Sequence, residues 1–231
     1  MKEEIKHNQQ TEQLEVPYGL PAAVKYCTKC VISNQRPRAK KSEFKHNVNS
    51  TTETIDFDDE GICAACRYHE KKHKEIDWAQ RERELWQLCD KYRKNDGSYD
   101  CVVSGSGGKD SVMVAHLLKY EFKMNPLTVT WAPHMYTEVG WRNMKRWIDA
   151  GFDNILFHPN GKVHKLLTRL AFENLLHPFQ PFILGQKNLA PKIAAKYNIP
   201  LVFYGEPGVE YGDPGSDGAQ RKKHYHTGAN Y

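Results

Sequence analysis

The chain has 231 residues and a formal net charge of +5, with basic and acidic side chains interspersed. This length allows one good-sized domain and a smaller module, and the mild charge suits a small anionic ligand as well as a nucleic acid. No apolar run approaches the ~20 residues of a membrane span, and the polar N-terminus lacks the apolar core of a secretory signal. We therefore expect a soluble, cytoplasmic protein with no membrane insertion.

The first part of the chain combines a polar leader with a cysteine-rich module. Residues 1–20 lack hydrophobic periodicity, which predicts a flexible leader. Within residues 21–72, four cysteines form two C-x2-C pairs. They are Cys27, Cys30, Cys63 and Cys66. Four thiolates suit a closed tetrahedral Zn²⁺ site that folds a zinc-ribbon-like module and performs no chemistry.

Three alternatives to zinc exist for these cysteines: disulfides, a redox pair and four buried structural thiols. The absence of an export signal weakens the first alternative, because disulfides persist in oxidising compartments. No βαβ pattern surrounds either pair, which weakens the second. Structural zinc is therefore the preferred interpretation.

A linking helix is predicted within residues 73–98. The segment "IDWAQRERELWQLCDKY" has helical periodicity with Asp77 as a plausible N-cap, and "NDGS" then turns the chain. Cys89 on this helix and Cys101 in the next strand fall on apolar faces. Both are predicted to be core residues rather than reactive thiols.

From residue 99 the pattern alternates between short apolar strands and amphipathic helices. The predicted strands are "YDCVVS", "PLTVTW", "NILFHP" and "PLVFYG", with helices between them. Apolar strands that alternate with helices indicate an α/β domain whose parallel sheet carries helices on both faces. We assign residues 99–212 to this domain and residues 213–231 to a polar tail. Ligands of such sheets bind at the carboxyl ends of the strands.

The segment "SGSGGKDS", from Ser104 to Ser111, follows the first strand and opens a helix. Glycines allow the backbone to approach a ligand closely, and the free N–H groups at a helix start bind anions. A Walker A loop requires Gly-Lys followed by Ser or Thr, but Lys109 precedes Asp110. The dinucleotide pattern GxGxxG starting at Gly105 requires glycine where Asp110 stands, so neither motif matches.

The remaining segment from Ser106 to Ser111 resembles the SGGxDS signature of the PP-loop ATP pyrophosphatases, which bind ATP and release pyrophosphate. The two serine hydroxyls and the backbone amides can surround the leaving pyrophosphate. Lys109 can add positive charge, and Asp110 can hold Mg²⁺. An ordinary serine-glycine turn is the alternative. All eight residues of the loop are predicted to bind ATP: Ser104, Gly105, Ser106, Gly107, Gly108, Lys109, Asp110 and Ser111. Four of them are also predicted to be catalytic: Ser106, Lys109, Asp110 and Ser111.

The resemblance also implies residues at neighbouring strand ends. In that family the adenine lies near the end of the next strand, which here is Thr130-Trp131, and the last strand brings Gly205 and Glu206 to the same edge. These four residues are candidates for the ATP or acceptor pocket. Trp131 could equally be a packing residue.

The four-cysteine module, the loop and the block "GQKNLAPKIAAKYNIPLVFYGE" together resemble the N-acetyl sugar amidotransferases of bacterial lipopolysaccharide and nonulosonic-acid pathways. The resemblance implies that ATP adenylylates an acetamido oxygen of a nucleotide-sugar or related sugar, and that ammonia then gives an acetamidino group. The ammonia would come from a separate glutaminase with a synthase-like partner. Gln186, Lys187 and Asn188 would lie near the ATP or acceptor edge. The chain is shorter at its C-terminus than the family members.

Two interpretations from other classes remain. A tRNA-modifying PP-loop enzyme with a zinc ribbon would need an RNA-binding basic face and usually a reactive cysteine, and the lack of an obvious spare cysteine disfavours a nucleic-acid partner. A non-catalytic zinc-ribbon adaptor with a vestigial nucleotide domain is the second. The intact loop motif disfavours it.

Overall fold

The computed structural model describes residues 19–37 and 54–205. These residues divide into two compact units, one up to Ile76 and the other after it. The predicted leader (residues 1–20) lies outside the described residues except for its last two positions, and the predicted tail (213–231) lies outside them entirely. None of the helices in the described ranges combines the length and the apolar character that a membrane crossing requires.

The first unit is built around its cysteines. Its only helix within the described ranges is α1 (Ala64–Lys74), and isolated antiparallel bridges join Tyr26 to Ser33 and Phe57 to Cys63. Ile55 and Ile62 pack with the cysteine side chains into a small core. Such a core is small for independent stability, which is the usual reason for a metal in a module of this size.

The second unit begins with α2 (Trp78–Tyr92), whose N-cap is Asp77 as predicted. The Asp77 carboxylate accepts a hydrogen bond from the Gln80 amide at 2.9 Å. Cys89 is fully buried on the inner face of this helix, with Leu85 and Trp86 packed beside it. This confirms that Cys89 is a core residue.

Within the described residues, four parallel strands form the sheet of the second unit, in the order β3-β2-β1-β4. They are β1 (Cys101–Ser104), β2 (Pro126–Trp131), β3 (Asn154–Phe157) and β4 (Leu201–Tyr204). β1 therefore pairs with β2 on one side and with β4 on the other, and Ser104 lies opposite both Val129 and Tyr204. The predicted parallel sheet is confirmed.

Helices cover both faces of this sheet. They are α2, α3 (Lys109–His116) with a π-helical turn after it (Leu117–Glu121), α4 (Glu138–Asp149), α5 (Gly161–Leu175) and α6 (Gln180–Lys196). Cys101 and Val103 of β1 face a core formed by α2, α3 and α4, whereas Val102 faces α6. The alternation of neighbouring strand residues between two cores is the reason that the first three residues of β1 are all apolar.

Asp100 joins the two central strands at their amino ends. It is buried, and its two carboxylate oxygens accept hydrogen bonds from the Lys94 and Asn125 amides, both at 2.8 Å. A buried carboxylate needs such partners because its desolvation is costly. These bonds hold the amino ends of β1 and β2 together. The glycine-rich loop lies at the other end of the sheet, after the carboxyl end of β1.

Candidate functional site

The glycine-rich loop connects β1 to α3. Gly108 precedes α3 in an extended conformation (φ −72°, ψ 153°), and no side chain caps the first turn. The first N–H groups of a helix have no partner within the helix, so an uncapped start can bind an anion. Ser106, Gly108 and Lys109 are exposed. The open side of the loop is therefore polar and accessible.

Two glycines of the loop fit positions that no side chain could occupy. A Cβ atom on Gly105 would lie 2.3 Å from the Cβ of Ser111. Gly107 has a φ of +85°, and a Cβ on it would lie 2.8 Å from the backbone nitrogen of Met144. The loop is thus held between its own helix and the middle of α4 around Met144, and its path depends on glycine at both positions.

The side chains of the motif divide into an open pair and an inner hydroxyl. Lys109 Nζ lies 2.6 Å from Asp110 Oδ1, and the two side chains are 88% and 46% exposed. Ser111 is buried, and its hydroxyl donates to the Gly108 carbonyl at 3.0 Å. The cation and the carboxylate face the solvent side of the loop, and Ser111 stabilises the turn from within.

The end of β4 forms the opposite wall of the loop. A Cβ on Gly205 would lie 2.7 Å from both the carbonyl carbon of Asp110 and the amide nitrogen of Ser111. The chain runs from β1 to β2 on one side and returns to β4 on the other, so the loop lies at the point where the strand order reverses. This is where open α/β sheets bind ligands. Glu206, which was predicted beside Gly205, lies outside the described residues.

The two predicted residues at the end of β2 point in opposite directions. Thr130 is buried, and its hydroxyl oxygen accepts a hydrogen bond from Asn154 Nδ2 at 3.0 Å and lies 3.9 Å from Met144 Sδ. Its side chain is therefore part of the interior, which differs from the predicted place in a ligand pocket. Trp131 lies on the other face, where a Cβ on Gly185 would be 2.2 Å from its indole ring. Trp131 packs against α6.

The middle of α6 lies beside the end of β4. Pro191 interrupts the backbone hydrogen bonds of this helix, because proline has no N–H to donate to the carbonyl four residues earlier. That carbonyl belongs to Lys187, and the Tyr204 hydroxyl donates to it at 3.0 Å. Gln186 and Lys187 are exposed, whereas Asn188 is half-buried and donates to the Leu184 carbonyl at 2.8 Å. The predicted Gln-Lys-Asn segment is thus close to the carboxyl edge.

The four paired cysteines of the first unit come together. Their Sγ atoms all lie within 4.8 Å of one another. The Sγ–Sγ distance is 3.9 Å between Cys27 and Cys66 and 3.7 Å between Cys30 and Cys63. Tetrahedral zinc with bonds of about 2.3 Å separates its sulfur ligands by about 3.8 Å. The donor set and its size therefore fit a zinc ion that all four thiolates would hold, and such an ion would supply folding energy.

The thiols of this cluster are unequal in acidity. Burial opposes ionisation of Cys27, but the amides of Cys63 and Lys29 donate to its sulfur, and its pKa falls to about 6. Burial and the neighbouring sulfurs raise the pKa of Cys66 to about 12. Ionisation of Cys66 is thus unfavourable without a cation, because its negative charge would be buried beside the neighbouring sulfurs. A divalent ion removes this conflict.

Comparisons with known proteins give partial matches. No family model matches the chain. It is 34% identical over 83 residues to "Uncharacterized protein MJ1599" of Methanocaldococcus jannaschii, a match that covers 36% of this chain and 29% of that protein. Among solved structures, it is similar to an NH3-dependent NAD synthetase from Campylobacter jejuni in complex with a nitrate ion. The TM-score is 0.42 and the identity 19%, over 55% of this chain and 56% of that chain.

A cluster of aromatic rings next to Trp131 was not predicted. The His164 ring centroid lies 6.0 Å from that of Trp131 and 4.7 Å from that of His134, whose ring is 5.4 Å from Phe182. The Trp131 Nε1 and His164 Nε2 atoms are buried without a hydrogen-bond partner in the described part of the chain. Burial, together with His134, lowers the pKa of His164. The end of β2, the loop after it, α5 and α6 each contribute one of these four rings, so no short motif could identify them.

Proposed function

We propose that this chain is an ATP-dependent amidotransferase of the PP-loop type, which releases AMP and pyrophosphate and converts the acetamido group of a bacterial surface sugar into an acetamidino group. The observation that carries the proposal is the Ser106–Ser111 segment at the reversal point of the sheet, closed by Gly205. An exposed lysine, an adjacent carboxylate and uncapped helix amides meet there. This combination suits a triphosphate with Mg²⁺.

The loop residues have distinct roles in this proposal. The amides at the start of α3 and the Ser106 hydroxyl donate hydrogen bonds to the leaving pyrophosphate, and Lys109 stabilises its charge. Asp110 would hold the Mg²⁺, which neutralises charge on the phosphate oxygens when bound. For this, Lys109 and Asp110 exchange their mutual ion pair for the ligands. The pair is open to solvent, so this exchange costs little.

The chemistry balances without any further reagent. The acetamido oxygen attacks the α-phosphorus of ATP, the bond to the β-phosphate oxygen breaks, and pyrophosphate leaves. Ammonia then adds to the activated carbon, and AMP leaves with the former acetamido oxygen as part of its phosphate. The products are the amidine, AMP and pyrophosphate. Ammonia is assigned to a separate glutaminase with a synthase-like partner, and the reaction to the cytoplasm.

The edge beside the loop is the proposed place for adenine and acceptor. Gln186 and Lys187 are exposed near the end of β4, and their backbone is held by Tyr204. Trp131 is the last residue of β2 and His164 lies beside it, and one ring nitrogen of each is buried without a hydrogen-bond partner in the described residues. Unpaired buried polar groups cost about 1–3 kcal/mol each, so a polar ligand that reached them would be favoured. We include both groups in the proposed pocket.

The cysteines support this proposal over tRNA thiolation. Four of the six form the metal-type cluster, and Cys89 and Cys101 have no exposed surface. Burial raises the pKa of both thiols. A reactive cysteine beside the ATP is therefore lacking among the six. The Asp110→Ala variant, which tests catalysis, also distinguishes an enzyme from a non-catalytic adaptor.

The test is product analysis with α-labelled ATP, Mg²⁺, ammonium and a pool of acetamido nucleotide-sugars. We expect AMP release that depends on the sugar, and ¹⁸O in the AMP when the acetamido oxygen is ¹⁸O-labelled. Asp110→Ala should abolish AMP formation, whereas Asp149→Ala, a change of an exposed carboxylate on α4, should leave it intact. Formation of ADP would refute the proposal. If the wild-type chain shows no turnover and its partner binding is unchanged by Asp110→Ala, the adaptor interpretation is favoured over the enzyme.

A further inference from the structure

A second group of metal-binding side chains lies on α1, in the sequence His69-Glu70-Lys71-Lys72-His73. Both histidines are exposed, and their ring centroids are 4.4 Å apart. Residues four positions apart lie on one face of a helix, so the two imidazoles can approach the same point in space. Imidazole is a ligand that Zn²⁺, Ni²⁺ and Cu²⁺ prefer.

The two imidazoles open onto the cysteine cluster. They line a hollow of about 570 Å³ together with Cys30 and Cys66. These two cysteines are the half-buried members of the cluster, whereas Cys27 and Cys63 are buried. The hollow therefore connects the histidine pair with the accessible side of the four sulfurs.

Glu70 forms ion pairs with Lys29 and Lys74, whose charges would otherwise repel a bound cation. Its carboxylate accepts hydrogen bonds from Lys29 Nζ at 3.4 Å and from Lys74 Nζ at 2.5 Å. The two ammonium groups that line the hollow are thus partly neutralised.

The pattern H-E-x-x-H is also that of zinc peptidases, but the geometry here differs from a hydrolytic site. Such sites have a third protein ligand and a free glutamate as general base. In the described residues, the four cysteines are the only group of three or more potential ligand side chains at metal-binding distances. Glu70 is ion-paired with two lysines. The pair is therefore suited to binding a metal ion rather than to hydrolysis.

We propose that His69 and His73 bind one exchangeable divalent transition-metal ion, with water completing its coordination, in addition to the zinc of the cysteine cluster. The site lies at the mouth of the hollow that reaches Cys30 and Cys66. An ion captured there is next to the cluster, so the site is the entry point for zinc.

The first test is a titration of the zinc-loaded full chain with Ni²⁺ in competition with a chromophoric chelator. We expect His69→Asn and His73→Asn each to weaken the binding of one Ni²⁺ by at least about tenfold, since even outer-sphere changes cost 10–100-fold in metal affinity. His158→Asn removes an exposed histidine of the second unit and should leave binding unchanged. All other histidines are common to the variants and give a constant background. Equal Ni²⁺ binding in the parent chain and both α1 variants would overturn the proposal.

The second test measures the delivery of metal to the cysteines. The metal-stripped full chain is mixed with Co²⁺, and the thiolate–cobalt absorbance is followed in time. We expect the same final absorbance but a several-fold slower rise in His73→Asn than in His158→Asn. Unchanged rates in a variant that has lost Ni²⁺ binding would refute the entry role while leaving the binding site itself established.

Discussion

Because Gly205 has no side chain, the end of β4 can pack directly against the backbone of the glycine-rich loop. Its Cα lies so close to the loop that an added Cβ would be 2.7 Å from the backbone of Asp110 and Ser111. The strand-end rule predicted Gly205 at this edge, because the carboxyl ends of parallel strands meet there. The closeness of the contact could not be predicted, since it depends on the path of a loop about a hundred residues earlier in the chain.

We expect Gly205→Ala to displace the loop backbone. Overpacking of this kind lowers the free energy of unfolding by about 1–3 kcal/mol. We expect the displaced loop to reduce the free energy of ATP binding by a larger amount. Gly161→Ala is the matched control, because a Cβ on Gly161 meets nothing within 4 Å. Isothermal titration with a non-hydrolysable ATP analogue, beside thermal unfolding, measures both effects. Equal ATP affinity in the two variants would contradict the close fit.

His164 should make stability depend on pH. Burial, and then His134, lower the pKa of His164 below its ordinary value of 6.5. Between these two pKa values, His164 is protonated in the unfolded chain and neutral in the folded chain. The free energy of unfolding therefore falls as the pH drops from 6.5 to the pKa of the folded chain, and it is constant below that pKa.

The measurement is urea unfolding between about pH 8 and pH 5. His164→Phe should flatten the acid side of the stability curve, and His158→Asn, at an exposed position, should leave the curve as it is. A wild-type chain and a His164→Phe chain that lose stability in parallel would contradict the assignment.

At the scale of elements, the strands could be predicted because buried parallel strands are continuous apolar runs. The same alternation that makes these runs apolar separates Thr130 from Trp131, because neighbouring strand residues face opposite sides. α1 was not predicted, since "RYHEKKHK" has polar residues on every side and no apolar periodicity. Its histidine pair was missed for the same reason.

Besides their apolar packing, α6 and β4 are joined by a hydrogen bond from Tyr204 to the Lys187 carbonyl, which is free to accept it because Pro191 has no N–H. We expect Tyr204→Phe to cost about 1 kcal/mol, because it removes the donor to the Lys187 carbonyl. In a Pro191→Ala background the restored amide can bond that carbonyl, and the Tyr204→Phe cost should shrink. Urea unfolding of the four chains of this double-mutant cycle measures the coupling. Additive effects would show that the two residues act independently.

At the scale of the molecule, the two units should respond differently to loss of metal. The core of the first unit combines the four paired cysteines with a few small and apolar residues, whereas the second has a core on each face of its sheet. We expect a chelator to unfold the first unit and to leave the second folded.

Hydrogen exchange before and after chelation is the measurement. Amides of α1 should lose protection, while those of β1 and β2 keep it. Cys30→Ser should reproduce the chelator effect, and Cys89→Ser, which changes a core cysteine outside the cluster, should leave the exchange of α1 unaltered. Loss of protection throughout both units would mean that they unfold as one.

The pairing of the first strand with the last has a consequence for synthesis of the chain on the ribosome. β1 ends at Ser104, but its neighbour β4 starts only at Leu201. The glycine-rich loop is therefore synthesised about a hundred residues before Gly205, which forms its second wall. Pairings between such distant segments form late, because the intervening chain must first be ordered. Under the proposed function, ATP binding by a nascent chain would thus report the docking of β4 beside β1.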